Sequence, residues 1–183
     1  MGVRGTRRLK ELSADNSEKN LMFTSVESLL HIAKQRNLYE DERLNIKELI
    51  GLKEDISVEY IPLDPSISGK LSRNSDKWII TVNKNHHVNR QRFTLAHELA
   101  HYVLHKSDSD SFTDTVFFRG ASVNNIEYAA NEFAANLLMP EDKVRQLIRV
   151  GVAQNIETLA KTFGVSVAAM LYRIKQLGFR TKE

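Results

Sequence analysis

The chain contains no cysteine, so disulfides, thiolate metal ligands and thiol nucleophiles are excluded together, and any metal must be held by histidine and carboxylate. The same absence suits a reducing compartment. No apolar run approaches the ~20 residues that a bilayer-spanning helix needs; the longest, such as 134–140, are far shorter. The N-terminal Met1-Gly2-Val3-Arg4-Gly5-Thr6-Arg7-Arg8 is basic, yet neither an apolar segment nor a small-residue cleavage site follows it, which leaves no secretory signal. A cytoplasmic location without a membrane partner is expected. An excess of one charge is also missing, because 26 basic and 23 acidic residues are well mixed and leave a net +3. Nucleic-acid contact is permitted by that balance and not demanded by it. Internal repeats and low-complexity segments are absent as well.

What is present, in 183 residues of which 42% are hydrophobic and 27% charged, is the composition of one catalytic domain, with room for a small appendage. Residues 1–20 are polar and basic without apolar period, and are expected to form a flexible leader. Thr24-Ser25-Val26-Glu27 has the spacing of a capping box and precedes Val26, Leu29, Leu30 and Ala33 at helical intervals, which predicts a helix to about 36. Asn45 with Glu48 opens a short second helix that Gly51 ends. The period then becomes two, with Ile56, Val58 and Tyr60 on one side of a strand that stops at Pro62. Residues 68–73, a turn over Asn74-Ser75-Asp76, and residues 77–83 predict an antiparallel hairpin, giving about three strands. Asn89 is the expected N-cap of a helix to about 105, and 106–125 has the polarity of a loop, packed down in part by Val116-Phe117-Phe118. A second central helix covers 126–138, Pro140 opens the next, Gly151 ends it, and 156–178 makes two short helices broken at Phe163-Gly164-Val165-Ser166.

The chemistry lies in His97-Glu98-Leu99-Ala100-His101. Helix positions four apart differ by about 40° around the axis and ~6 Å along it, so His97 and His101 can converge on one cation. Glu98 is poorly placed to join them as a ligand and near enough to hold and deprotonate a water at the ion, the role of a general base. Catalytic zinc takes three protein ligands and keeps a fourth position open. Glu127 is the first candidate for the third ligand, because Asn131 lies one turn later on the same face, where its amide could orient a ligating imidazole. Glu132 is the alternative, about 140° away around the helix, so the two cannot both face the metal. Alanines at 129, 130, 134 and 135 let the two helices approach closely. His105 continues the histidine register but falls a further turn away, beyond one ion's reach.

Four stretches together, Ser68-Gly69-Lys70-Leu71, Trp78-Ile79-Ile80-Thr81-Val82-Asn83, Arg90-Gln91-Arg92-Phe93-Thr94-Leu95-Ala96-His97-Glu98-Leu99-Ala100-His101 and the segment 127–140, resemble the ImmA/IrrE family of metallo-endopeptidases over roughly residues 55 to 140. The resemblance implies zinc held by His97, His101 and Glu127, with Glu98 as general base. Members often carry Gly where Ala100 stands, and Ala still permits close packing. The resemblance further implies a protein substrate, a small helix-turn-helix repressor cut to relieve repression in a mobile element or stress-response locus. The long sensory C-terminal domain of the stress-regulator branch is not expected, because the sequence ends too early to hold one. The expected fold is α+β and zincin-like: a small antiparallel three-stranded sheet on a helical core with the HExxH helix over 21–150, then a helix-turn-helix-like segment over 151–183.

Other residues carry competing readings. His86 and His87 lie between the sheet and the active helix, where a side chain could stabilise an oxyanion at the scissile carbonyl, and Tyr102 and Tyr128 adjoin candidate ligands and could donate the same hydrogen bond. Against these stand an exposed histidine pair and tyrosines that adjacency on a helix turns elsewhere. The strand 78–83 is expected to double as an edge that takes up substrate backbone by strand addition. The tail has the close-packed turn of a helix-turn-helix at Ala160 and Gly164. Its second helix, with Val167, Ala168, Ala169, Met170 and Leu171, offers little to read bases, which favours packing or partner docking over DNA recognition, with Arg173, Lys175, Arg180 and Lys182 left as phosphate contacts. Two functions therefore compete: peptide-bond hydrolysis, and a non-catalytic anti-repressor or DNA-binding regulator that keeps zinc as a structural clasp.

Overall fold

β-Branched and aromatic residues concentrated between 56 and 83 build a sheet, and the helices on either side of them in sequence close over it. A computed structural model describes residues 22–107, 111–114, 125–151 and 155–179; the leader expected over 1–20, Val116-Phe117-Phe118, Arg180 and Lys182 lie outside them. The chain is α+β. Among the described residues no helix is long and apolar enough to cross a membrane.

Helix α1 (Val26–Gln35) is capped by Ser25, not Thr24. Ser28 N–H donates to Ser25 Oγ and Ser25 N–H to Ser28 Oγ, a reciprocal box in which serine replaces the usual Glu at the third position. A two-stranded hairpin, β1 (Tyr39–Glu40) and β2 (Arg43–Leu44), follows and has no counterpart in the sequence reading. Helix α2 (Ile46–Gly51) starts at Asn45 as expected, with Asn45 Oδ1 accepting from Glu48 N–H.

The main sheet differs from the expectation in two respects. Its strands are β3 (Ile56–Ile61), β4 (Gly69–Asn74), β5 (Lys77–Asn83) and β6 (Ser111–Asp114), in the order β3-β5-β4-β6. It therefore has four strands, the fourth drawn from the segment expected to be a loop. It is also mixed, because β5 runs parallel to β3 and antiparallel to β4. The β4–β5 hairpin forms as predicted, but its second arm turns inward to lie beside β3. The burial pattern agrees with this order: Trp78, Ile80, Thr81, Val82 and Asn83 are all buried, the near-continuous run of a central strand covered on both faces. The strand 78–83 is thus not an edge. Both of its sides are hydrogen-bonded, and the outer side of β4 is taken by β6 from Gly69 to Ser72.

Helix α3 (Val88–His105) lies on this sheet and packs along α4 (Asn125–Leu138). Ala96, Leu99 and Ala100 from α3 and Ala130, Ala134 and Leu137 from α4 are all buried. The N-cap of α3 is His87, whose Nδ1 accepts from Asn89 N–H. Asn89 is displaced from the capping role because its own amide donates to Val165 O at 2.9 Å. Helix α5 (Glu141–Arg149) begins at Pro140, and Gly151 beyond its end takes a positive φ of 70°.

The tail forms α6 (Ile156–Phe163) and α7 (Val167–Gln176), broken where the sequence indicated. The turn between them sits on α3. Arg92 donates to Gly164 O at 2.9 Å and Phe163 O at 3.4 Å, and Arg43 to Lys161 O at 3.1 Å, satisfying carbonyls that the end of α6 leaves open. Gly164 suits its place: its φ is +64°, in the left-handed region that glycine adopts without strain. Arg173 is buried and donates to Met139 O at 3.0 Å, so it is not a phosphate contact.

Candidate metal centre

The centre forms where the histidine stripe of α3 meets the first turn of α4. His97 and His101 are buried, with 0% and 1% of their side chains exposed, whereas Glu127 keeps 35%. The site is therefore dry at the imidazoles and open at the carboxylate. His97 Nε2 lies 3.2 Å from Glu127 Oε2, His101 Nε2 lies 3.4 Å from Glu127 Oε1, and the two Nε2 atoms are 3.0 Å apart. A tetrahedral shell with arms of about 2.0–2.1 Å has edges of about 3.3 Å. The two imidazole nitrogens are thus about an edge apart from each other and each from one Glu127 oxygen, which fits a metal ion of that habit, and the exposed side of Glu127 leaves access for solvent or substrate. His97, His101 and Glu127 form a group able to hold an ion.

The protonation pattern suits the same use. Hydrogen bonds from His101 first and His97 second hold the Glu127 carboxyl well below the usual carboxylate range. Burial pushes the His101 imidazole down, outweighing the hydrogen bond to Glu127 that pulls the other way. Neutral imidazole beside carboxylate is the form that ligates, because metal ligands must be deprotonated. His97 is oriented from behind by Asn131, whose Oδ1 lies 3.1 Å from His97 Nδ1. With an ion bound, a proton on Nδ1 donated to that oxygen would leave the Nε2 lone pair for the metal, the usual arrangement around a ligating histidine.

Glu98 stands one residue round the helix from His97 and is wholly buried. The structure brings His97, His101, Glu127 and Asn131 to one place, and keeps Glu132, partly buried, on the side of α4 that faces Tyr172 and Arg173 of α7. The four side chains weighed as transition-state stabilisers are engaged elsewhere. Tyr102 is buried on the sheet side of α3, donates to Asp55 Oδ2 at 2.6 Å and meets Trp78 edge-on; burial and Asp55 push its phenol well above the ordinary range. Tyr128 is exposed and shares a hydrogen bond with Tyr172. His87 caps α3 ten residues from His97, about 15 Å along the axis, and His86 Nε2 lies 3.2 Å from Pro65 O.

Three residues near the centre escaped the sequence reading in any functional sense. Asn83 is fully buried at the end of β5, and its amide donates to the carbonyls of Leu63, Asp64 and Ile67, which fixes the loop from β3 to β4. Ser68, also buried, accepts from Arg90. Gly69 passes close over Thr94 and Glu98. A lone glycine inside a strand pattern is a signal of close backbone approach; buried polar residues at a strand end give none.

Comparison with known proteins points to metallopeptidases. The family model Peptidase M78, described as the IrrE N-terminal-like domain, matches residues 52–175, more than half of the chain. The sequence is 26% identical over 155 residues to metallopeptidase ImmA of Bacillus subtilis, covering 84% of this chain and 83% of that protein. It is 34% identical over 102 residues to the radiation response metalloproteases IrrE of Deinococcus radiodurans and Deinococcus deserti, covering 54% of this chain and only 31% and 36% of theirs.

Proposed function

The chain belongs to the Peptidase M78 family and is a metallopeptidase, and from that premise we propose that it is a zinc-dependent, zincin-like endopeptidase in which His97, His101 and Glu127 hold the ion and Glu98 is the general base. The observation that carries this reading is the convergence of two imidazole Nε2 atoms 3.0 Å apart, each within 3.2–3.4 Å of one oxygen of the Glu127 carboxylate, on two packed helices, with a buried carboxylate one residue away. When bound, the ion supplies Lewis-acid polarisation of the scissile carbonyl and of a water. Asn131 keeps His97 in its ligating tautomer. Glu98 accepts a proton from the attacking water and delivers it to the leaving nitrogen. A closed structural clasp would show four protein ligands; among the described residues three converge, and the partly exposed Glu127 leaves a side open. That argues against the alternative, a non-catalytic anti-repressor or DNA-binding regulator.

The substrate we propose is a small helix-turn-helix repressor in the cytoplasm, cut in a linker or a transiently opened helix, since extended segments are scarce inside a folded repressor. With β5 central, a substrate that extends the sheet on the β4 side adds to β6. The tail, with its second helix poor in base-reading groups and its turn docked on α3, serves packing or partner contact. The test is to incubate the purified protein, loaded with zinc, with the repressor encoded beside it. One or two discrete fragments are expected, stopped by chelation and absent for Glu98→Gln, which should retain its metal. Relief of DNA binding by Glu98→Gln with the repressor intact would hand the function to the binding alternative.

A further inference from the structure

The face of α3 that bears Glu98 is built against the backbone of β4. Thr94 and Glu98 are one turn apart and share a stripe of the helix. A β-carbon added at Gly69 would stand 2.4 Å from Thr94 Cγ2, 2.7 Å from the Thr81 carbonyl oxygen and 3.3 Å from Glu98 Oε1. The first two separations are too short for any real contact, so no side chain fits there unless the strand or the helix moves. The strand's own backbone at Gly69 thus forms a wall beside the Glu98 carboxylate.

The residue before it is fastened. Ser68 is fully buried, and its hydroxyl accepts from Arg90 Nη2 at 2.8 Å and Nε at 3.2 Å. Its carbonyl accepts from Asn83 N–H at 2.9 Å. Arg90 lies one turn before Thr94, whose hydroxyl donates back to the Arg90 carbonyl at 3.0 Å. Arg90, Thr94 and Glu98 therefore form one line along α3, and Ser68-Gly69 lies across it.

We propose that Ser68-Gly69, tied to α3 by Arg90, is the positioning element for Glu98. It sets how closely β4 approaches the helix and hence where the carboxylate sits relative to His97 and His101. It acts through Glu98. The inference rests on the reading of Glu98 as general base. A base works only within hydrogen-bond reach of the proton it takes, and a misplacement of 1 Å can cost about 100-fold in rate.

Gly69→Ala, Arg90→Met and Arg90→Lys test this by metal content per chain, kcat and KM on the cleaved repressor. Gly69→Ala should lower kcat about 100-fold and Arg90→Met about 10-fold, with KM within about 2-fold of wild type and metal content unchanged. Arg90→Lys keeps a donor for Ser68 and should recover part of the loss. If Gly69→Ala does not fold, the two Arg90 variants decide alone. Wild-type kcat in Arg90→Met overturns the proposal, as does a loss of activity matched by an equal loss of metal, which would place the element behind the ligands. A wild-type protein that binds zinc and cuts nothing overturns the peptidase reading itself, a result distinct from either.

Discussion

Helix α3 is held on two sides by different means. Towards α4, side chains meet side chains: His97 and His101 face Glu127, and Asn131 backs His97. Towards β4, side chains meet backbone, with Thr94 and Glu98 beneath Gly69. A substitution on the first side deletes a donor and leaves the helices in place. One on the second side shifts a strand. The candidate ligands are thus placed by chemistry that can be removed atom by atom, and the proposed base by a distance between elements.

The largest effect that would break this division lies on the α4 side. Glu127→Ala should take metal content from about one ion per chain to near zero after dialysis, because a catalytic site has three protein ligands and no spare, while Glu132→Ala leaves it unchanged. Metal analysis of the two purified variants decides; the reverse pattern would move the centre to the other face of α4. A smaller effect is expected at Asn131, since Asn131→Ala deletes an orienting partner and not a ligand. Its zinc affinity should fall about 10- to 100-fold, read by competition with a chromophoric chelator, and an unchanged affinity would detach Asn131 from the centre.

The smallest effect sharpens the comparison by falling on neither side. Arg92 lies on the N-terminal half of α3 and serves the tail; burial and then the neighbouring Arg43 charge push it down to about 10, a cost offset by its bonds to Gly164 and Phe163. Arg92→Met leaves buried carbonyls without donors and should destabilise the fold by about 1–3 kcal/mol in urea denaturation, with metal content intact. Metal loss in the still-folded variant would mean that the tail supports the ligands.

The parts of this arrangement legible in the sequence were the local ones. His97 and His101 are neighbours because a helix repeats every 3.6 residues, and Asn131 could be linked to Glu127 by the same rule. The tail's break at Gly164 was legible because the left-handed cap favours glycine. Strand order was not, since the parallel union of β3 with β5 joins residues more than twenty positions apart and has no local mark. β6 was hidden in a polar segment without alternation. Tyr102 misled by adjacency, as the residue after His101 is turned by about 100° and faces Asp55. His87 took the cap from Asn89 because Asn89 was already committed to Val165, a contact 76 positions away.

The central place of β5 also fixes an order of assembly. Residues 56–61 leave the ribosome before residues 77–83, their partner on the one side where they pair. At ordinary translation rates of 5–20 residues per second, that interval is about 1–4 s. During it, residues 56–61 lack the strand they pair with. The β4–β5 hairpin supplies that partner, whereas β6, on the outer side of β4, is synthesised only after α3, which begins at Val88. The helix that carries the histidines is thus made between the third and the last strand of the sheet on which it lies.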